Sequence, residues 1–234
     1  MPTDPTKTLM LVGAHHDDNE GGASTAIVRH RQAGWRVVSV VMTNGRWMRG
    51  SFKEEHIAVR DEESRQAAKV LDMETVFMRF DEAGFRATKE ACDALVEKML
   101  EYRPDVVITH PPRDYHFDHV QTSQCTLEAT ELCGMALHTT PGMLRPPRLY
   151  YCDAFYLPFE PDVYVDATDY MDIKAEAQRC HRSQLPAESP NDGGIVELAR
   201  TRARYRGVEA GVEYAEAYRF VPRLASARVA ELLT

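Results

Sequence analysis

Apolar runs rich in β-branched residues alternate with amphipathic segments along residues 1–140 of the chain. Short apolar runs bounded by turn residues are typical of buried strands, whereas longer segments with apolar residues three and four positions apart are typical of helices. We predict strands at residues 8–14, 36–43, 75–80 and 105–109, and helices at 23–32, 56–71, 88–102 and 119–137. This alternation predicts an α/β fold, a single-domain Rossmann-like parallel sheet flanked by helices.

The pattern becomes looser after residue 140. The remaining predicted elements are strands at 148–153 and 163–165, helices at 169–182, 195–210 and 223–233, and an extended segment at 213–221. A loop rich in proline, glycine, serine and asparagine spans residues 186–194, and the sequence leaves open whether it is a lid or a connection. We interpret residues 1–234 as one domain, with a core at about 1–140 and a small C-terminal extension on the substrate side at about 141–234.

The composition restricts the partners of the chain. The net charge is -8 at pH 7 and the basic residues form no cluster, so we expect no nucleic-acid partner. The five cysteines are scattered and never spaced as C-x-x-C, which argues against a disulfide framework and fits the cytoplasm. No apolar run approaches membrane-spanning length, so we expect no membrane partner. A small-molecule substrate remains, and assembly into a homo-oligomer stays open.

Two polar clusters follow predicted strands at their carboxyl ends. Residues 15–20, His-His-Asp-Asp-Asn-Glu, come directly after the first strand, and residues 110–119 follow the fourth. In open α/β sheets, ligands bind in the crevice outside the strand ends. His15, Asp18 and His119 supply two imidazoles and one carboxylate, which is a catalytic zinc set with a fourth position left for water. The expected cofactor is Zn2+, with another divalent metal such as Fe2+ as the alternative.

Neighbouring polar residues suit the proton transfers of amide hydrolysis. Asp17 lies within the first cluster, and we expect it to act as the base that takes a proton from water. His116, in the second cluster, is the predicted cation or proton donor for the tetrahedral oxyanion and the departing amine. We expect Asp118 or Asp114 to hold the other ring nitrogen of His116, with loop capping as the alternative role of both carboxylates.

The same clusters resemble the signatures of a known family, the LmbE-like, or PIG-L, zinc-dependent N-deacetylases. The two signatures of that family are HPDD(x)E and HPDH. The segments that carry the resemblance are His15-x-Asp17-Asp18-x-Glu20, Asp114-x-His116-x-Asp118-His119, Arg60-x-x-Glu63, Lys174 with His181-x-Ser183-Gln184, and residues 214–218. The last three are similar to an R-x-x-E helix, a K…H-x-S-Q helix and an AEAF-type strand. Together they span about residues 8–220.

The resemblance implies a Rossmann-like fold, zinc held by His15, Asp18 and His119, a base at Asp17 and an electrophilic His116. It also implies removal of an acyl group, usually acetyl, from an N-acylated sugar or glycoconjugate such as N-acetylglucosamine.

Three further residues are candidates for substrate binding. Trp47 and Tyr115 lie on the loops that would flank the metal, where each would stack on a sugar ring or anchor its loop against the core. Arg60 stands where the family places a substrate-binding arginine, with a salt bridge on the helix surface as the alternative. His16 and Phe117 stand where the family usually has proline, and we interpret His16 as a bystander that faces solvent or lies behind the ligands.

Three other hypotheses stay open. The His16-Asp17 pair resembles the HD pair of all-helical metal phosphohydrolases, but the strand before it favours a sheet edge. A Rossmann dinucleotide binder is disfavoured because the first turn lacks G-x-G-x-x-G and carries two carboxylates where a pyrophosphate would lie. The third is a non-catalytic sugar or metal binder, which Asp17 beside a full ligand set disfavours.

Overall fold

A mostly parallel sheet forms the centre of the protein in the residues that the computed structural model describes, 7–135, 146–154, 156–187 and 193–222. The strands are β1 (Thr8–Gly13), β2 (Arg36–Thr43), β3 (Trp47–Met48), β4 (Ser51–Phe52), β5 (Glu74–Phe80), β6 (Val106–Thr109), β7 (Arg148–Cys152), β8 (Val163–Asp166) and β9 (Ala215–Phe220). The helices are α1 (Asp18–Gln32), α2 (Glu55–Leu71), α3 (Lys89–Tyr102), α4 (Phe117–Leu132), α5 (Met171–Arg179) and α6 (Ile195–Ala210).

The strand order places the two polar clusters side by side. The order is β5-β2-β1-β6-β7-β9-β8, and β1 pairs in parallel with both β2 and β6. Val12 lies opposite Val40 on one side and Thr109 on the other, so the carboxyl ends of β1 and β6 are neighbours. This confirms the predicted α/β class. The C-terminal edge differs, because β9 runs antiparallel to both β7 and β8.

Helices cover both faces of the sheet because the strands are apolar on both sides. Met10 and Val12 of β1 pack on one face in a cluster with residues of α3 and α4. Leu9 and Leu11 pack on the other face with residues of α1, α2 and α5. Each fully buried aliphatic side chain contributes about 1.5–3 kcal/mol to the free energy of folding. The rigid double-sided core therefore fixes the loops at the strand ends.

Several element boundaries differ from the prediction. Helix α1 begins at Asp18 rather than at residue 23, with non-helical dihedrals at Ala23 (φ -149°, ψ 23°) that mark a kink. The predicted loop after β2 contains the short antiparallel hairpin β3–β4. Helix α4 begins at Phe117, and the predicted helix 169–182 is divided into α5 and two turns of 3-10 helix. The predicted helix 223–233, the middle of the 186–194 loop and the boundary near residue 140 lie outside the described residues.

A buried carboxylate, Glu216 of β9, ties the kink of α1 to the rest of the fold. It accepts hydrogen bonds from the backbone N–H groups of Thr25 (3.0 Å) and Ala26 (3.2 Å), from Lys174 Nζ (2.8 Å) and from the Tyr218 hydroxyl (2.6 Å). The kink leaves backbone donors without helical acceptors, and buried donors need a partner. Lys174 and residues 214–218, two of the segments that resemble the family, therefore contribute to a structural network of hydrogen bonds.

Glu216→Ala is expected to lower the free energy of unfolding by about 3–5 kcal/mol, because it leaves the Lys174 ammonium buried and unpaired. Chemical denaturation measures this change. Glu101→Ala, which breaks the exposed Lys98–Glu101 pair, is the control and is expected to cost less than about 1 kcal/mol. Equal losses in the two variants would contradict the structural role of Glu216.

Candidate active site

The three predicted metal ligands meet at the carboxyl ends of β1 and β6. His15 Nδ1 lies 3.2 Å from His119 Nε2 and 3.3 Å from Asp18 Oδ2. His119 Nε2 lies 3.3 Å from Asp18 Oδ1. The three side chains are almost entirely buried and converge on one point from two loops that are about a hundred residues apart in the sequence.

These separations fit a tetrahedral metal ion. Ligand atoms about 2.0–2.1 Å from a tetrahedral zinc ion lie about 3.3–3.4 Å from one another. The distance of 3.2 Å between His15 Nδ1 and His119 Nε2 agrees with that edge length, and the Asp18 carboxylate reaches both rings with different oxygens, Oδ2 at 3.3 Å from His15 Nδ1 and Oδ1 at 3.3 Å from His119 Nε2. The residues present therefore fit a divalent metal with one open position.

Carboxylates lie behind both candidate histidine ligands. Asp114 Oδ1 is 2.9 Å from His119 Nδ1, and Asp118 Oδ2 is 3.3 Å from His15 Nε2. Histidines that bind a metal usually donate their second ring N–H to a carboxylate, which fixes the tautomer and the ring orientation. In this arrangement His15 presents Nδ1, and His119 presents Nε2, to the point where the three side chains converge.

The electrostatics of the cluster favour a positive charge at its centre. Burial alone would lower the pKa of His15, but Asp18, Asp118 and Glu82 raise that pKa to about 10. Burial is likewise outweighed at His119, where Asp18 and Asp114 raise the pKa to about 9. Carboxylates that stabilise protons on two imidazoles can also stabilise a metal cation that replaces those protons.

Local structure explains how Asp18 reaches the site. The chain turns directly from β1 into α1, so that Asp17 and Asp18 lie at the helix N-terminus, where the macrodipole stabilises negative charge. The backbone N–H of His15 donates to Asp18 Oδ2 at 2.6 Å, which closes the turn. His110 Nε2 lies 3.1 Å from the same oxygen, and the His110 ring stacks on His119.

Two alternative sets of donors share His119. The described residues place His15, His116 and His119 within reach of one another, and also Asp18, His110 and His119. The Nδ1 atom of His116 is already used within α4, and His110 Nε2 accepts from the Ala14 N–H at 3.1 Å. Each alternative set therefore includes a histidine with a ring nitrogen that already accepts a backbone N–H.

His116 caps helix α4, and its partner differs from the prediction. Its Nδ1 accepts a hydrogen bond from the Asp118 backbone N–H at 3.2 Å, because the first N–H groups of a helix lack helical acceptors. The prediction that Asp118 or Asp114 holds this ring nitrogen is wrong, since those carboxylates lie behind His15 and His119. Burial, with His15 and His119, lowers the pKa of His116, so the neutral ring carries its proton on Nε2.

Asp17 is held by Arg60 from helix α2. Arg60 Nη2 lies 2.9 Å from Asp17 Oδ1, and Arg60 is 2% exposed, so it forms no salt bridge on the helix surface. Burial would raise the pKa of Asp17, but Arg60 and then His181 lower it on balance. Asp17 is therefore ionised at neutral pH, as a general base must be.

A cleft of about 730 Å3 opens over these residues. Trp47 and Tyr115 both line it, and they are 39% and 49% exposed. Tyr115 makes edge contacts with the rings of His116 and His119.

Glu82 is a site residue that the sequence analysis missed. Its Oε2 accepts the Trp47 N–H at 2.6 Å, and its Oε1 lies 3.8 Å from both His15 Nε2 and Arg60 Nη1. The signal was present, because Glu82 follows β5 at the same edge of the sheet as the two clusters.

A family model described as GlcNAc-PI de-N-acetylase, or PIG-L, matches residues 10–130, which is more than half of the chain. The chain belongs to the PIG-L family. The matched segment includes both polar clusters and helix α2. This membership confirms the family that the two motifs indicated.

Relatives of this PIG-L chain include deacetylases. The diacetylchitobiose deacetylase of Thermococcus kodakarensis is 27% identical over 94% of this chain and 85% of its own length. The N,N'-diacetylchitobiose deacetylase structure from Pyrococcus horikoshii has a TM-score of 0.82 and 23% identity, covering 97% of this chain and 88% of that one. GalB, the 4-carboxy-2-hydroxymuconate hydratase from Pseudomonas putida, has a TM-score of 0.84 and 24% identity, covering 98% and 100%. The two structural likenesses establish a shared fold.

Among the described residues, no helix of this PIG-L chain is long and apolar enough to cross a membrane.

Proposed function

We propose that this chain is a zinc-dependent hydrolase that removes an N-acyl group, usually acetyl, from a sugar or glycoconjugate. The observation that carries the proposal is the convergence of His15, Asp18 and His119, whose nearest side-chain donor atoms lie 3.2–3.3 Å apart, with the ionised carboxylate of Asp17 beside them. The relative from Thermococcus kodakarensis, named for deacetylation of diacetylchitobiose, supports the same reaction class. The cytoplasm as its location stays a prediction.

The residues of the chain have separate roles in this reaction. His15, Asp18 and His119 would hold the metal. A bound divalent metal acidifies water and polarises a carbonyl group, the two activations that amide hydrolysis needs. Asp17 takes the proton of the attacking water, and Arg60 keeps that carboxylate ionised and oriented.

His116 serves the oxyanion, and the leaving amine receives the proton that Asp17 took from the attacking water. Since Nδ1 accepts from the Asp118 N–H, the neutral ring has a single N–H donor, at Nε2, and the side chain lines the cleft. A neutral donor of this kind stabilises the negative charge that develops on the acyl oxygen. It replaces the imidazolium that the sequence suggested.

A hydratase is the second candidate, because the structural match to GalB extends over 98% of this chain. Its substrate carries several carboxylates by name, and such a substrate calls for cations in the site. The described lining of the cleft offers two guanidinium groups, Arg49 and Arg60, and Arg60 is committed to Asp17. Asp17, Asp18 and Glu82 add negative charge to the same cleft. We therefore place hydration second.

A substrate panel separates these reactions. Metal-loaded protein is incubated with N-acetylglucosamine, N,N'-diacetylchitobiose, a conjugated unsaturated tricarboxylate and a phosphomonoester. We expect primary-amine release from at least one N-acetyl sugar. Loss of the ultraviolet absorbance of the diene without amine release would favour hydration, and phosphate release alone would favour a phosphohydrolase. Metal binding without any turnover would favour a non-catalytic relative.

A further inference from the structure

We infer that the hairpin β3–β4 forms a subsite for a second ring, so that the substrate is an N-acyl amino sugar joined to another sugar or to an aromatic group. This inference rests on the proposed function for the identity of the first ring. It assigns the second ring to an aromatic surface made by Trp47 and Phe52.

Trp47 and Phe52 form one continuous surface. They are directly opposed partners in the antiparallel hairpin, and such partners project from the same face with their Cβ atoms about 4.5–5.5 Å apart. Trp47 is 39% exposed and Phe52 is 49% exposed, and both line the cleft above the candidate metal site. Two large aromatic side chains left half-exposed in a cleft mark a surface that a ligand covers.

The hairpin is attached to the residues that perform the chemistry. Glu82, which lies near His15, accepts the Trp47 N–H, and Arg60, which holds Asp17, donates from Nη1 to the Trp47 carbonyl at 3.1 Å. Buried His56 holds the adjoining residue through a 2.8 Å contact between Nδ1 and the Arg46 carbonyl oxygen. The aromatic surface therefore has a fixed position relative to the base, which is what a subsite that orients substrate requires.

The shape and polarity of the cleft fit a ligand of two rings. Its volume of about 730 Å3 is well within the range of about 300–1,000 Å3 for pockets that hold drug-sized molecules. Its lining combines the polar residues of the candidate site with three apolar residues, Leu185, Pro186 and Ile195. A pyranose has an apolar C–H face and an aryl group has two, and either stacks on an aromatic side chain.

Binding can be measured without turnover by using Trp47 as the probe. The chain has two tryptophans, and Trp35→Phe leaves Trp47 as the only one. We expect N,N'-diacetylchitobiose to quench the fluorescence of Trp47 and to bind about tenfold more tightly than N-acetylglucosamine. Phe52→Ala in the same background is expected to weaken binding of the two-ring ligand about 5- to 10-fold and binding of the one-ring ligand less than twofold. Tyr205→Ala, which truncates an exposed aromatic residue of α6 outside the described cleft lining, is the control and leaves both affinities unchanged.

The subsite and the proposed function fail in different ways. Equal effects of Phe52→Ala on the two ligands, no effect on either, or no binding of either would overturn the subsite. Selective binding of the two-ring ligand without amine release would keep the subsite and overturn the deacetylase. Amine release with unchanged kcat/KM for both substrates in Phe52→Ala would keep the deacetylase and overturn the subsite.

A separate set of contacts identifies His16 as a positioning residue for Asp17. We propose that His16 and Asp61 form one half of a clamp that holds the loop after β1 against α2. His16 Nε2 lies 3.0 Å from Asp61 Oδ1, and Asp17, which follows His16, pairs with Arg60, which precedes Asp61. Two consecutive residues of the loop are thus gripped by two consecutive residues of the helix.

The surrounding backbone is shaped to seat His16. Gly45 has φ +74°, and a Cβ atom there would lie 2.5 Å from Cε1 of the His16 ring. Arg79, which donates two hydrogen bonds to Asp61, has φ +70°, in the left-handed region that non-glycine residues rarely adopt. The His16 ring also stacks on Phe77. The fully buried imidazole is therefore no bystander, and it supplies rigidity where the family usually has proline.

The clamp predicts a specific kinetic signature. His16→Ala is expected to lower kcat about 10- to 100-fold, because a base misplaced by about 1 Å costs roughly that factor. KM and the bound metal, measured by elemental analysis, are expected to change less than twofold. His16→Gln, whose amide nitrogen can occupy the place of Nε2, is expected to restore most of kcat.

The same signature tests the clamp from the helix side. Asp61→Asn is expected to reproduce the loss of kcat, and it also serves if His16→Ala fails to fold. Asp72→Asn is the control, because Asp72 ends the same helix and pairs only with Arg31 at the surface among the contacts described. An unchanged kcat in either folded clamp variant, or a parallel loss of metal and kcat, would overturn the proposal.

Discussion

Asp17→Asn is expected to lower kcat by about 10²- to 10⁴-fold, because the amide cannot accept the proton of the attacking water. The loss falls on kcat rather than on metal binding, since Asp17 contacts Arg60 and is not one of the three converging ligands. Because Arg60 and His181 outweigh burial and lower the pKa of Asp17, the wild-type base is charged throughout the neutral range. Protonation of Asp17 therefore limits turnover only on the acid side of its ordinary range.

Steady-state kinetics and elemental analysis measure both parts of this result. Asp81→Asn is the matched control, because Asp81 is an exposed carboxylate that accepts a hydrogen bond from Asn44 outside the described lining of the cleft. It is expected to keep wild-type kcat. An Asp17→Asn protein with full metal and wild-type kcat would show that another group is the base.

Loss of the metal is expected to abolish turnover, and the residues behind the ligands are expected to tune its affinity. His119→Ala removes one of three protein ligands, so we expect neither bound metal nor amine release. Asp114→Asn removes the carboxylate that orients His119 and is expected to weaken the metal 10- to 100-fold. Saturating zinc is expected to restore turnover to Asp114→Asn and not to His119→Ala.

Metal titration and anomalous X-ray diffraction check this prediction. The anomalous peak is expected between His15 Nδ1, His119 Nε2 and the Asp18 carboxylate. A peak at His110 or His116 instead would contradict the ligand set, and full turnover after chelation would contradict the requirement for a metal.

The position of the two motifs, each after an apolar strand, made the centre of the site predictable. The apolar run of β1 ends directly at His15, and the run of β6 ends shortly before the segment with His119. Parallel strands align their carboxyl ends, so both clusters were expected at one edge of the sheet, and the pairing of β1 with β6 makes them neighbours there. This expectation needed no knowledge of side-chain contacts, and the three candidate ligands lie together at that edge, whereas their binding of a metal stays a prediction.

The features that failed or were missed depend on contacts between distant residues. The hairpin β3–β4 has two residues in each strand, too few to show a period of two. The partner of His116 depends on where α4 begins, and that boundary shifts by two residues because the histidine itself caps the helix. The buried site that holds the His16 ring is formed by Gly45, Asp61 and Arg79 together. These residues are far apart in the sequence, so no local sequence pattern predicts their contact.

Hydrolysis of an N-acetyl bond at this centre is tested most directly by isotope transfer from water. Metal-loaded wild-type protein is incubated with N,N'-diacetylchitobiose in water enriched in oxygen-18, and the released acetate and primary amine are quantified by mass spectrometry. We expect acetate and amine in equal amounts, with one oxygen-18 atom in each acetate. Absence of acetate, or acetate without the label, would contradict the account.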